Sequence, residues 1–120
     1  MTRVIICGGR DFNDKELCFR MLGKFLSGID SLEIVSGHAK GADTLAEEYA
    51  AAHSLAVCLF KPEWNKYGKG AGIILNRQML AYACEQDPMV IAFWDGKSRG
   101  TRSMIEMARK AGVPMEIVVY

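Results

Sequence analysis

Glycines, forked cations and short acids gather at three turn-like places in this chain, and their chemistry is that of a pocket for an anion. At Gly8-Gly9-Arg10-Asp11 two glycines permit positive φ and close approach of a ligand to the backbone. Arg10 adds a planar cation there, matched to phosphate or carboxylate. Gly37, His38, Gly41, Ala42 and Asp43 form a second such group, and Gly96, Ser98, Gly100 and Thr101 a third. Between them lie Trp64, Tyr67 and Lys69, followed by Asn76 and Arg77.

Each of these residues also has a plainer use. Asp43 can bind a sugar hydroxyl or cap a helix, and Ser98 and Thr101 can hold phosphate or cap. Trp64 and Tyr67 can stack on a base or pin their loop to the body. His38 lacks a partner in motif spacing, which favours a structural or donor role over proton transfer. For acid-base chemistry the candidates are Asp11, Asp43 and Glu63. Neither the dinucleotide pattern G-x-G-x-x-G nor the P-loop pattern G-x-x-x-x-G-K-[ST] occurs, which removes two common phosphate-binding readings.

The elements that must position these turns are readable from apolar patterning. Val4 to Cys7 and Met89 to Trp94 are short apolar runs of the kind buried on both faces of a parallel sheet, with Leu32 to Val35, Leu55 to Phe60 and Met115 to Val119 as further strands. Asn13 reads as the cap of a first helix that ends near Gly28, with Phe12 stapled onto Leu17. Further helices are expected over Ala42 to His53, Gly72 to Cys84 and Arg102 to Ala111, and 61–72 reads as a long irregular, ligand-facing segment. Strands alternating with helices imply an α/β fold: one open parallel sheet of about five strands in the order 3-2-1-4-5, with helices on both faces. Its ligand crevice lies beyond the strands' carboxyl ends, between the first and fourth strands.

Composition narrows the partners. The 120 residues fit a single domain spanning 1–120, and 15 basic against 14 acidic residues offer no global field for nucleic acid or a membrane. Nine of the basic residues nonetheless fall on the expected ligand side: Arg10, Lys40, Lys61, Lys66, Lys69, Arg77, Lys97, Arg99 and Arg102. A small phosphorylated ligand fits that local edge better than a polymer. No apolar stretch of about 18 residues occurs, so a cytoplasmic protein is expected. Cys7, Cys18, Cys58 and Cys84 are scattered and read as reduced, buried thiols; no metal and no cofactor is expected, and self-association stays open.

Taken in order, Gly8-Gly9-Arg10-Asp11-Phe12, Gly37-x-Ala39-Lys40-Gly41-Ala42-Asp43, Trp64-x-x-Tyr67-Gly68-Lys69-x-Ala71-Gly72, Asn76-x-x-Met79 and Ala92-Phe93 with Gly100-Thr101 resemble the YspA-like branch of the SLOG superfamily. The resemblance implies a Rossmann-like fold and a nucleotide-derived ligand that is sensed or processed. In hydrolase relatives of the LOG type, a glycine-threonine turn is followed at once by glutamates. Here Thr101 is followed by Arg102-Ser103-Met104-Ile105, with Glu106 a turn farther on, so the resemblance supports binding more than N-glycosidic hydrolysis.

Overall fold

The computed structural model describes residues 1–120. Strands β1 (Thr2–Gly8), β2 (Leu32–Ser36), β3 (Ala56–Leu59), β4 (Asp87–Trp94) and β5 (Met115–Val119) form one all-parallel sheet in the order β3-β2-β1-β4-β5. Helices α1 (Lys15–Leu26), α2 (Ala42–Ala52), α4 (Ala71–Cys84) and α5 (Arg99–Lys110) alternate with them, and a single turn of helix, α3 (Trp64–Tyr67), precedes α4. The fold is the Rossmann-like α/β sheet that the apolar runs imply.

Alternation along β1 divides the core. Val4 and Ile6 face α1 and α2, packing with Leu22, Leu26, Ala46 and Ala50. Ile5 and Cys7 face α4 and α5, packing with Leu75, Met79, Met104 and Ala108. Both faces of β1 and β4 are therefore covered, which is why these strands read as unbroken apolar runs. The edges are not covered: Val57 and Leu59 on β3, and Ile117 and Val119 on β5, stand exposed, Val119 at 71%.

Arg3, a cation inside a strand, lies at the amino ends of the strands, away from the ligand side. Its guanidinium stacks on the Tyr82 ring at 3.7 Å and pairs with Glu33 at 3.5 Å. Of the thiols, Cys7 and Cys18 are buried, whereas Cys84 is exposed.

Four local expectations change. The cap of α1 is Asp14, not Asn13: the Asp14 carboxylate accepts the Leu17 N–H at 3.0 Å. Phe12 is held not by a staple alone but by rings, stacked on Phe93 at 4.9 Å and tilted against Tyr120 at 4.6 Å. The segment 61–72 is not structureless, because α3 and a 3₁₀ turn over Gly68–Gly70 run almost directly into α4. Likewise α5 starts at Arg99 rather than Arg102, since Ser98 caps it by accepting the Thr101 N–H.

The reassigned cap is directly testable. Asp14→Ala should lower unfolding free energy by about 1 kcal/mol, while Asn13→Ala should stay within about 0.5 kcal/mol of the parent. Urea titrations of both variants check this, and the reverse ranking would return the cap to Asn13.

Candidate functional site

A cleft of about 780 Å³ opens at the carboxyl ends of the strands, where the winding of the sheet reverses between β1 and β4. Five chain segments line it. The turn after β1 contributes Gly8, Gly9, Arg10 and Asp11, and the segment after β2 contributes Gly37, Ala39 and Asp43. Pro62, Trp64 and Lys69 come from the approach to α4, and Gly72, Ile73, Leu75, Asn76 and Met79 from α4 itself. Asp95, Ser98, Arg99, Gly100, Thr101 and Ser103 complete the wall on the far side.

Backbone contact makes two of these turns one unit. The Ala42 N–H donates to the Gly9 carbonyl at 3.3 Å, so the start of α2 rests against the first turn. A side chain at Gly8 would stand 2.5 Å from the Phe93 carbonyl and 2.6 Å from the Ala42 methyl, closer than atoms pack. Gly41, at φ +81, lies directly against the backbone of Gly9 and Arg10. Glycine is required at both positions for the close approach.

The first turn is also held from a residue that sequence reasoning missed. The Tyr120 hydroxyl donates to Asp11 Oδ1 at 2.8 Å, and the Tyr120 N–H donates to the Trp94 carbonyl at 3.1 Å. Burial first, then the Asp11 bond, pushes the Tyr120 phenol up to about 12. On the far wall Asp95 Oδ1 accepts the N–H groups of Lys97 and Ser98, both at 2.8 Å, and these bonds hold its carboxyl below the usual range. Asn76, buried, donates to the Gly100 carbonyl at 3.1 Å and ties α4 to the first turn of α5. The amides of Arg99 and Gly100 have no acceptor within their helix and face the anion-attracting end of its dipole.

Asp43 differs from the other acids. It is buried, at 8% exposure; the Ala39 N–H donates to Oδ2 at 3.1 Å, and the Gly37 N–H also lies toward the carboxyl. No lysine or arginine pairs with it. Burial is the main cause that raises its carboxyl to about 6, with Glu47 adding to the shift and the N–H groups of Ala39 and Gly37 opposing it.

The cleft therefore gathers Gly8, Gly9, Arg10, Asp11, Gly37, Asp43, Trp64, Lys69, Asn76, Ser98, Gly100 and Thr101 from the residues expected by sequence. His38, Gly41, Ala42, Tyr67, Gly96 and Glu63 lie outside its lining. Ala42 and Gly41 act through backbone packing instead, and Glu63 borders a separate shallow depression beside Trp64. Arg77 turns away because Asn76 occupies the inward position of α4. It borders a groove between α4 and α5, with Leu80, Glu106 and Lys110. His38 does have a partner: its Nδ1 lies 2.9 Å from Glu47, whose other oxygen accepts the Ser36 hydroxyl at 2.8 Å. That ring of contacts holds His38 at φ +58. Of the nine basic residues on the expected ligand side, only Arg10, Lys69 and Arg99 border the cleft. Arg99, Asp95 and Ile73 are lining residues that the motif-based selection passed over.

Ionising Asp43 in its buried place opposes folding, and the sign is fixed by its raised value. Its contribution is fully favourable below about pH 4 and is lost as pH rises through about 6, by roughly 3 kcal/mol for a shift of about two units. Asp43→Asn should therefore gain stability relative to the parent between about pH 4 and pH 7, as read by denaturant midpoints at each pH. A pH-independent difference would show that the carboxyl ionises freely.

Similarity to known proteins agrees with this geometry. The model of the YspA, cpYpsA-related SLOG family matches residues 2–67, which include the first two ligand-side turns. The Gene 61 protein of Mycobacterium phage D29 is 31% identical over 121 residues, covering 96% of this chain and 94% of that protein. Among solved structures, DNA processing protein A (DprA) from Streptococcus pneumoniae superposes with a TM-score of 0.54 at 18% identity. The match covers 96% of this chain and 58% of that one, a likeness of fold. The matched family model and the phage relative, which aligns over nearly its whole length, show that this chain belongs to the YspA, cpYpsA-related SLOG family.

Proposed function

We propose that the cleft binds a small, phosphate-bearing, nucleotide-derived ligand, and that the protein senses or sequesters it with little or no turnover. The observation that carries this reading is an imbalance of partners. Arg10, Lys69 and Arg99 border the cleft and form no ion pair with any carboxylate of the protein. Asp11 and Asp95, which stand near them, are already engaged by Tyr120 and by backbone N–H groups. Unpaired cations beside the free amides of a helix start suit a phosphate.

The opposite wall is apolar. Trp64 and Ile73 are about half exposed, at 49% and 48%, and Leu75 and Met79 in the same lining are buried. An exposed indole is a platform for a planar ring rather than a pin for its loop. The cleft volume falls within the range of small-molecule sites, roughly 300–1,000 Å³.

A second reading, cleavage or transfer at an N-glycosidic or phosphoester bond, is favoured by one observation: Asp43 is a carboxyl raised to about 6 at the cleft wall. Asp11 is bound to Tyr120, Asp95 is held ionised by backbone N–H groups, Glu63 lies outside the cleft, and Glu106 borders the groove between α4 and α5, so Asp43 would act alone. Product analysis of nucleotides incubated with the protein separates the readings, because excess free base or phosphate favours turnover and recovery of intact ligand favours binding. DprA is by its name a DNA-processing protein. Retention of a single-stranded oligonucleotide with steep salt dependence would point this chain toward nucleic acid instead.

Calorimetry against inorganic pyrophosphate, nucleoside phosphates, ADP-ribose and cyclic nucleotides tests the proposal, and no heat with any of them at millimolar concentration would sink it. Arg10→Ala should weaken the strongest binder by roughly ten- to hundredfold, about 1.5 to 3 kcal/mol, with an unchanged melting temperature. An unaltered dissociation constant would remove Arg10 from the site.

A further inference from the structure

We infer that Asp43 makes the cleft selective for nucleotides whose ribose hydroxyls are free, and excludes those that carry a phosphate on the ribose. The inference rests on the nucleotide reading of the cleft and adds a discrimination to it.

Among the acids that border the cleft, Asp43 is the one that is buried and still has acceptor capacity left over. Its donors within the protein are the backbone N–H groups of Ala39, at 3.1 Å, and Gly37, and a carboxylate offers about four lone-pair positions. The charged groups nearest to it, Glu47 and His38, hold each other rather than Asp43. A buried carboxylate with neither a cation nor a full set of donors is an expensive arrangement, and a ligand that donates hydrogen bonds would relieve it.

Its position limits which donor that is. The start of α2 rests on the Gly9–Arg10 turn through the Ala42 N–H and the Gly9 carbonyl. Arg10 and Asp43 therefore flank one junction of the cleft, and no ion pair joins them. Gly37 presents no side chain here, and one would stand 3.1 Å from Asp43 Oδ2 and 3.2 Å from Leu75, filling the space beside the carboxylate. A ligand that meets both the Arg10 cation and a carboxylate with no cation of its own is one that carries an anion together with neutral donors. In a nucleotide those groups are the 5′-phosphate and the ribose diol. A phosphate in place of one ribose hydroxyl would set like charges together in a largely desolvated place, where such juxtaposition is strongly unfavourable.

The test is calorimetry at about pH 8, where Asp43 is ionised. The probes are inorganic pyrophosphate, the four ribonucleoside 5′-monophosphates, and the 2′- and 3′-phosphorylated forms of whichever monophosphate binds best. The parent protein should prefer the monophosphate over its ribose-phosphorylated forms by roughly tenfold or more, although their extra charge would favour a cationic cleft. Asp43→Asn, nearly the same in shape, should reduce that preference to less than about threefold, chiefly by gaining affinity for the ribose-phosphorylated forms. A purely structural Asp43 would shift every probe alike and leave the ratio fixed, which would overturn the inference. Equal or tighter binding of the ribose-phosphorylated forms by the parent would overturn it without any variant. Binding of pyrophosphate with no binding of any monophosphate would defeat this inference and spare the anion site. Failure of pyrophosphate and nucleotides alike would defeat both.

Discussion

The pairing of β1 with β4, in register from Thr2 opposite Asp87 to Gly8 opposite Phe93, is the constraint on which the rest of the site depends. It brings together two strands that are far apart in sequence and sends their connections to opposite faces of the sheet. The loops leaving Gly8 and Trp94 therefore diverge, and the gap between them cannot be closed by either helix. Phe12 shows how closely this seam is packed, because its ring stacks on Phe93 of the neighbouring strand just past the turn that carries Arg10. The cleft is a by-product of chain topology, and the residues that line it are chemical choices made on that frame.

Those choices divide labour by charge. Arg10, Lys69 and Arg99 stand exposed, where a cation costs little to keep, and Asp43 is buried, where a carboxylate costs a good deal. A fold under pressure for stability alone would replace Asp43 with a neutral residue. That expense sets this acid apart from Asp11 and Asp95, whose hydrogen bonds serve the turns themselves.

Much of the architecture was legible because single-residue signals agreed with long-range ones. Continuous apolar runs marked strands covered on both faces, and glycines marked the turns. What escaped had physical reasons. Asn13 and Asp14 are both good caps, and only the backbone geometry separates them. Pro62 and the glycines at 68, 70 and 72 concealed a helical turn at Trp64–Tyr67. Arg77 follows Asn76 by about 100° of helix, so one faces the cleft and the other cannot, and the inward set Leu75, Asn76, Met79 and Ala83 carried that phase information. The partner of His38, Glu47, lies one turn after Asp43 on α2, a spacing visible in sequence whose meaning depends on the bend at His38. Nothing in the sequence places Tyr120 beside Asp11, because 109 residues separate them; only the order of the strands does.

That last contact joins the cleft to the least sheltered margin of the sheet. β5 pairs on one side only, and the Tyr120 N–H to Trp94 carbonyl bond is its outermost rung toward the cleft. Fraying of a strand end is among the lowest-energy openings of a folded protein, far cheaper than global unfolding. Each time this rung opens, the hydroxyl that grips Asp11 leaves with it, and the Gly9–Asp11 turn loses its outer support while the interior of the sheet stays intact. The protection of that turn against solvent exchange is thereby tied to an edge of the sheet as well as to the core, where the Phe12 ring packs against Tyr120.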